Sequence, residues 1–234
     1  MMAGNHHWLG AGVKVAVLDS IYTASPYVQP VAIKRFVQNE APTQSHASTV
    51  AQVLASTDPL YLGIAPQCEL YIAEVIGSLV RGWDSLEESL DWAEAQGCQV
   101  INMSFACPTS DPRAERTIQR LDQKGIIFTS SFNPYLHWPH QLSSVIAVGT
   151  PHQQGDYDVA VNGESTVWID GKFVPFLGTS VASARMAGWA ACQKQKNPGI
   201  TRAELLNLTR QSMPAPPSGL GSSSVPSRAL RSPI

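Results

Sequence analysis

Residues 13–18 read Val13-Lys14-Val15-Ala16-Val17-Leu18, a short and almost unbroken apolar run. Such a run is typical of a β-strand covered on both faces, because neither face then needs polar side chains. Four later segments repeat the pattern and are also predicted to be strands: residues 69–75, 98–103, 125–130 and 144–149.

Segments with helical periodicity alternate with these runs. Helices are predicted over residues 84–96, from Asp111-Pro112 to Gly125, over residues 179–195, and from Thr201 onward. Alternation of strands and helices favours an α/β fold of three layers, in which a mostly parallel twisted sheet carries helices on both faces. In such sheets the reactive groups gather at the carboxyl ends of the strands.

The composition restricts the possible functions. Hydrophobic residues make up 44% of the 234 residues and charged residues 15%, which fits a globular core. The net charge is −2 and no basic block is present, so a nucleic-acid partner is not expected. The sequence contains no apolar run long enough to cross a membrane and no recognisable secretory signal, which predicts a cytoplasmic protein or a domain of a larger one.

The sequence divides into two parts. Residues 1–212 are predicted to form one domain, and residues 213–234 are rich in Pro, Ser and Gly and are expected to be a flexible tail or linker. The four cysteines form no C-x-x-C pair and are expected to be free thiols. The sequence does not indicate the oligomeric state.

Three polar residues stand at boundaries between predicted elements. Ser180 lies where an irregular segment enters a helix, Asp19 ends the first strand, and His46 precedes a helical run. Taken singly, the serine fits a helix N-cap, the aspartate a turn, and the histidine a structural role. Taken together, they supply a nucleophile, a base and an orienting carboxylate.

The motifs around these residues resemble those of the subtilase family, over most of residues 11–212. The chain order Asp, His, Ser is the order found in subtilisin. Six segments match family signatures in order: Val15-Ala16-Val17-Leu18-Asp19-Ser20, Ser45-His46-Ala47-Ser48-Thr49-Val50-Ala51, Gly63-Ile64-Ala65-Pro66, Val100-Ile101-Asn102-Met103-Ser104, Ser144-Val145-Ile146-Ala147-Val148-Gly149 and Gly178-Thr179-Ser180-Val181-Ala182-Ser183.

The resemblance implies roles for particular residues. Asp19, His46 and Ser180 would form the catalytic triad, and Asn133 would join the Ser180 backbone N–H in an oxyanion hole. Asn133-Pro134 alternatively fits a simple turn. The peptide substrate would add as a strand beside two edges: Ser104, Phe105 and Ala106 on one side, and Val80, Arg81 and Gly82 within residues 79–82 on the other.

Several residues depart from the family pattern. Ala47 replaces a glycine, Thr49 replaces a second histidine, and Ala184-Arg185 replaces a pair that contains proline. Phe132 stands where the family has glycine, in a wall of the first specificity pocket. These departures suggest a divergent member with narrow specificity or reduced activity.

The expected function is that of a serine endopeptidase acting on peptide or protein substrates, and a processing protease for a precursor peptide is one form of it. Two alternatives remain open: a macrocyclase or transpeptidase on the same fold, and a catalytically weak peptide-binding protein. No cofactor and no metal are expected, because nothing near His137 and His140 completes a set of ligands.

Overall fold

A parallel sheet of seven strands forms the centre of the molecule. The computed structural model describes residues 8–37, 46–77 and 84–212. The strand order is β2-β3-β1-β4-β5-β6-β7, and every pair of neighbours is parallel. The strands are β1 (Lys14–Ser20), β2 (Ala32–Arg35), β3 (Glu69–Ile76), β4 (Val100–Met103), β5 (Ile127–Ser131), β6 (Val145–Gly149) and β7 (Val159–Ala160).

Helices cover both faces of this sheet. They are α1 (His46–Ala55), α2 (Asp84–Ala95), α3 (Pro112–Gln123), α4 (Thr179–Lys196) and α5 (Arg202–Ser212). Helices α1, α4 and α5 contribute to one apolar core, and α2 and α3 contribute to the other. The predicted three-layer α/β fold is therefore confirmed.

Strand β1 shows why the apolar runs become buried strands. Val15 and Val17 pack into the core beneath α1 and α4, whereas Ala16 and Leu18 pack into the core beneath α2 and α3. All four side chains are 0% exposed. Alternate side chains of a strand point to opposite faces, so a strand between two helical layers must be apolar at almost every position.

The helix boundaries follow local chemistry that the sequence contains. Asp111 caps α3 by accepting a hydrogen bond from the backbone N–H of Arg113, and Pro112 occupies the first turn. At the start of α5, the Thr201 hydroxyl accepts from the Glu204 N–H while the Glu204 carboxylate accepts from the Thr201 N–H. This reciprocal pair satisfies two donors that would otherwise lack partners.

A two-stranded antiparallel ribbon, which the sequence analysis did not predict, connects the sheet to α4. Its strands are β8 (Glu164–Ile169) and β9 (Lys172–Leu177), joined by Asp170 and Gly171 with φ angles of +48° and +85°. Positive φ at both central residues defines the tight turn whose twist suits a hairpin. Strand β9 leads directly into Gly178 and Ser180.

Three further expectations concern the cysteines, a membrane-spanning segment and the tail. All four cysteines are free, as predicted: Cys68, Cys98, Cys107 and Cys192. Burial raises the pKa of three of these thiols to about 12 and that of Cys192 to about 11, so all four are protonated at neutral pH. None of the described helices combines the length and apolar character that a membrane crossing requires. The predicted tail, residues 213–234, lies outside the described residues.

Candidate active site

Asp19 is buried at the carboxyl end of β1. Its side chain is 1% exposed, and its Oδ1 accepts hydrogen bonds from the Ser20 backbone N–H at 2.6 Å and from His46 Nδ1 at 2.9 Å. The second oxygen, Oδ2, lies 3.0 Å from the same His46 nitrogen. A carboxylate removed from water needs such partners, because an unpaired buried charge is strongly destabilising.

His46 is the first residue of α1, and its Nδ1 contacts the Asp19 carboxylate. Its side chain is 36% exposed, and its ring meets the Phe176 ring edge-on with 5.7 Å between centroids. Burial alone would lower the pKa of His46, but the charge of Asp19 and the hydrogen bond to it outweigh burial and raise that pKa. Since Nδ1 donates to Asp19, the neutral imidazole presents Nε2 as a proton acceptor.

Ser180 lies in the first turn of α4, directly after the ribbon. The N-cap of α4 is Gly178, whose φ of +129° is a conformation that residues other than glycine rarely adopt. The helix N-terminus provides backbone N–H groups and a positive dipole end beside the Ser180 hydroxyl. That hydroxyl donates to the Ser104 carbonyl at 3.2 Å rather than to His46 in the structure.

The structure therefore brings Asp19 and His46 into direct contact. Ser180 is connected to them indirectly, through the packing of two helices and through Phe176. Helices α1 and α4, which begin at His46 and just before Ser180, pack against each other. Phe176, four residues before Ser180, contacts the His46 ring. The Ser180 hydroxyl must leave the Ser104 carbonyl before it can donate to a base.

A buried polar cluster beneath Ser180 was not assigned a role by the sequence analysis. Asn102 on β4 accepts from the hydroxyls of Ser183 at 2.8 Å and Thr129 at 3.1 Å, and its amide nitrogen donates to Ser104 Oγ at 2.9 Å. Ser104 Oγ in turn donates to the Ser180 carbonyl at 3.1 Å. The cluster ties β4, β5 and α4 together. The sequence signal for it is Asn102, the one polar residue of the apolar strand β4.

Asn133 follows β5 and begins a turn. Its Oδ1 accepts from the backbone N–H groups of Tyr135 at 2.9 Å and Leu136 at 3.1 Å. The turn interpretation of this residue is thus present in the structure. It is compatible with an oxyanion role, because fixing the amide oxygen leaves the amide nitrogen as the group that donates elsewhere.

The residues predicted to bind substrate have different surroundings. Ser104, Phe105 and Ala106 follow β4 and lie outside the regular strands, and the Phe105 carbonyl accepts from Ser130 Oγ at 3.3 Å. The second predicted edge, Val80, Arg81 and Gly82, lies outside the described residues.

Phe132 is packed inward instead of facing solvent. It is 5% exposed, and its ring centroid lies 5.2 Å from that of His140 and 5.3 Å from that of Tyr157. A Cβ on Gly155 would lie 2.2 Å from the Phe132 ring, so only glycine fits there. The phenyl ring occupies space that a glycine at position 132 would leave open.

Metal ligation has no geometric support within the described ranges, 8–37, 46–77 and 84–212. They contain no group of three His, Cys, Asp or Glu side chains arranged to hold a metal ion. The rings of His137 and His140 have centroids 6.3 Å apart.

Comparison with known proteins gives one consistent family. The model of the subtilase family matches residues 10–222. Subtilisin BL from Lederbergia lenta is 29% identical over 228 residues, covering 88% of this chain and 84% of that protein. A protease from Pseudoalteromonas arctica shares the fold with a TM-score of 0.76 at 18% identity, over 90% of this chain and 86% of its own.

A second solved structure agrees. A cold-adapted subtilisin-like serine proteinase has a TM-score of 0.67 at 23% identity, over 87% of this chain and 83% of its own. The structural likeness supports the three-layer fold, and the family match spans both the strand that carries Asp19 and the helix that carries Ser180. The chain belongs to the subtilase family and is a serine peptidase.

Proposed function

We propose that the chain is a serine endopeptidase in which Ser180 is the nucleophile, His46 the general base, Asp19 the orienting carboxylate and Asn133 an oxyanion donor. The observation that carries this proposal is the buried carboxylate of Asp19, which holds His46 Nδ1 at 2.9 Å. This contact leaves Nε2 of the neutral ring as the acceptor for a serine proton.

Acylation begins when the Ser180 hydroxyl leaves the Ser104 carbonyl and turns to His46. Its oxygen attacks the scissile carbonyl carbon while Nε2 takes the proton, and the carbonyl oxygen becomes an oxyanion. The Ser180 backbone N–H at the start of α4 and the Asn133 amide nitrogen donate to that oxyanion. Asp19 stabilises the imidazolium, in agreement with the raised pKa of His46.

Collapse of the tetrahedral intermediate breaks the C–N bond. The imidazolium of His46 gives its proton to the departing amine, and the acyl group remains as an ester on Ser180. A water molecule then attacks this ester with His46 again as the base, which releases the carboxylic acid and restores the serine hydroxyl.

A narrow substrate range is part of the proposal. The family resemblance assigns position 132 to the wall of the pocket that receives the residue before the scissile bond. In the structure the Phe132 ring is buried against His140 and Tyr157. A phenyl ring in that wall would leave room only for small side chains, and we propose this preference. Such selectivity suits a protease that processes a particular precursor peptide. Cleavage profiling on a diverse peptide library tests this specificity directly.

The nucleophile is tested with a fluorophosphonate probe followed by peptide mass spectrometry. We expect covalent labelling of the wild-type protein at Ser180, slow labelling of His46→Ala and none of Ser180→Ala. A wild-type protein that stays unlabelled while its circular dichroism shows a folded state contradicts the proposed catalysis. Product masses from a cleaved peptide distinguish hydrolysis from cyclisation, because the cyclic product lacks the added water.

A further inference from the structure

A buried carboxylate, Glu74, stands beside Asp19 in the sheet. Asp19 on β1 is in register with Glu74 on β3, and Glu74 is in register with Arg35 on β2. Residues in register on neighbouring parallel strands point to the same face, about 4.8 Å apart. The three side chains therefore form a row at the carboxyl edge of the sheet, on the face that α1 covers.

Glu74 uses both of its oxygens. Oε2 accepts from Arg35 Nε at 2.6 Å, and Oε1 accepts from the backbone N–H of Tyr22 at 2.9 Å. Glu74 is 3% exposed, whereas the Arg35 side chain is 47% exposed. The guanidinium thus compensates the buried charge from the solvent side, while the other oxygen holds the loop that follows Asp19.

This loop, residues 20–23, is also bonded to the start of α1. Ser20 Oγ accepts from the Ala47 N–H at 3.1 Å. Thr23 donates its N–H to Ser48 Oγ at 2.8 Å, and Ser48 Oγ donates back to the Thr23 carbonyl. Ala47 and Ser48 directly follow His46, so the loop sets the position of the imidazole relative to Asp19.

We infer that Glu74, oriented by Arg35, is a positioning residue for the Asp19–His46 pair. This inference rests on the proposed function, since it assigns Glu74 a role in the same catalytic site. Loss of the Glu74 carboxylate frees the Tyr22 N–H, loosens the loop and weakens the hydrogen bond between Asp19 and His46. Because that bond raises the pKa of His46, weakening it lowers the pKa.

The test compares Glu74→Ala, Glu74→Gln and the control Glu69→Ala on the same strand. For Glu74→Ala we expect kcat to fall about 10- to 100-fold with little change in KM, because misplacing a catalytic group by about 1 Å has effects of this size. We also expect the acidic limb of the pH–rate profile to move to lower pH. The His46 Nδ1–H proton resonance should shift upfield or broaden.

The conservative variant separates positioning from charge. Glu74→Gln keeps an oxygen that accepts from Tyr22, so we expect it to recover most of kcat and the wild-type Nδ1–H resonance. Glu69→Ala should match the wild type in every measurement. Circular dichroism and urea midpoints establish that each variant is folded.

Two results overturn the inference: a folded Glu74→Ala with wild-type kcat, and one whose kcat falls while the pH limb and the His46 resonance stay unchanged. Failure of the proposed function is distinguishable from both. In that case the wild type is not labelled at Ser180, yet the His46 resonance still reports whether Glu74 positions the ring.

Discussion

Replacing Asn102 with alanine is expected to destabilise the protein by about 4 kcal/mol. Asn102 is 0% exposed and connects three elements through its single amide group. Its oxygen accepts from the hydroxyls of Ser183 and Thr129, and its nitrogen donates to Ser104 Oγ. Alanine removes both acceptor and donor without admitting water, so the partners lose their bonds inside the core.

The magnitude of this destabilisation is estimated from the hydrogen bonds that each partner loses and keeps. A buried hydroxyl left without its acceptor costs about 1–3 kcal/mol. Thr129 has a second acceptor, the Ser183 carbonyl at 3.4 Å, so its cost lies at the low end of this range, about 1 kcal/mol. Ser183 also has a second acceptor, Thr129 Oγ1 at 3.4 Å, but it loses the shorter bond to Asn102, at 2.8 Å, and is assigned about 2 kcal/mol. The cavity left by the amide adds about 1 kcal/mol. Ser104 keeps its bond to the Ser180 carbonyl and adds little.

Urea unfolding of a double-mutant cycle with Ser183→Ala measures this assignment. In the Ser183→Ala background the hydroxyl that would lose its bond to Asn102 is already absent, so Asn102→Ala should cost about 2 kcal/mol less there. Asn207→Ala, at an exposed position of α5, is the control and should change stability by less than about 0.5 kcal/mol. A loss below about 1 kcal/mol for Asn102→Ala, or strict additivity with Ser183→Ala, refutes the reasoning.

Three further predictions concern the base, the core and the substrate pocket. Activity requires a neutral imidazole, so it should rise with pH through a midpoint above 6.5, the ordinary pKa of His46. Asp19→Asn removes the charge that raises the pKa of His46, so burial then lowers this pKa. Activity should fall by about 10⁴-fold, and the midpoint of its pH dependence should lie below that of the wild type. An unchanged midpoint contradicts this prediction. Gly188→Ala should lower the free energy of unfolding by about 1–3 kcal/mol, because its Cβ would lie 2.6 Å from that of Ile64. Gly199→Ala, with its nearest contact at 3.6 Å, is the matched control and should be nearly neutral in urea unfolding. Phe132→Gly should extend cleavage in a peptide library from small to larger residues before the scissile bond, and an identical cleavage profile argues against a role in that pocket.

The central sheet could be predicted because its strands are continuous apolar runs. Burial on both faces leaves an unambiguous pattern, and five of the seven strands were predicted close to their observed limits. Strand β2 is short and mostly exposed, and β7 has only two residues, so neither has such a pattern. The ribbon of β8 and β9 is also partly exposed and contains Pro175, which strands usually disfavour. Its one strong local signal is Asp170-Gly171.

The candidate site was partly predictable for a different reason. The pairing of Asp19 with His46 was expected from the family motifs, and the structure contains it. The support given by Glu74 and Arg35 could not be read from the sequence, because it depends on the register of three strands separated along the chain. Register is set by tertiary packing, and no motif encodes the loop bonds that follow from it.

The departures from the family pattern have local explanations in the structure. Thr49, where the family has a second histidine, donates its hydroxyl to the His46 carbonyl at 2.7 Å within the first turn of α1. Ala47 is 0% exposed in the core, and Arg185 donates to the Glu164 carbonyl at 2.7 Å. Each replacement packs or bonds beside the site without displacing the imidazole from its carboxylate. The contact between Asp19 and His46 depends on a few atoms fixed by a strand end and a helix start, so these neighbouring positions can change while that contact is kept.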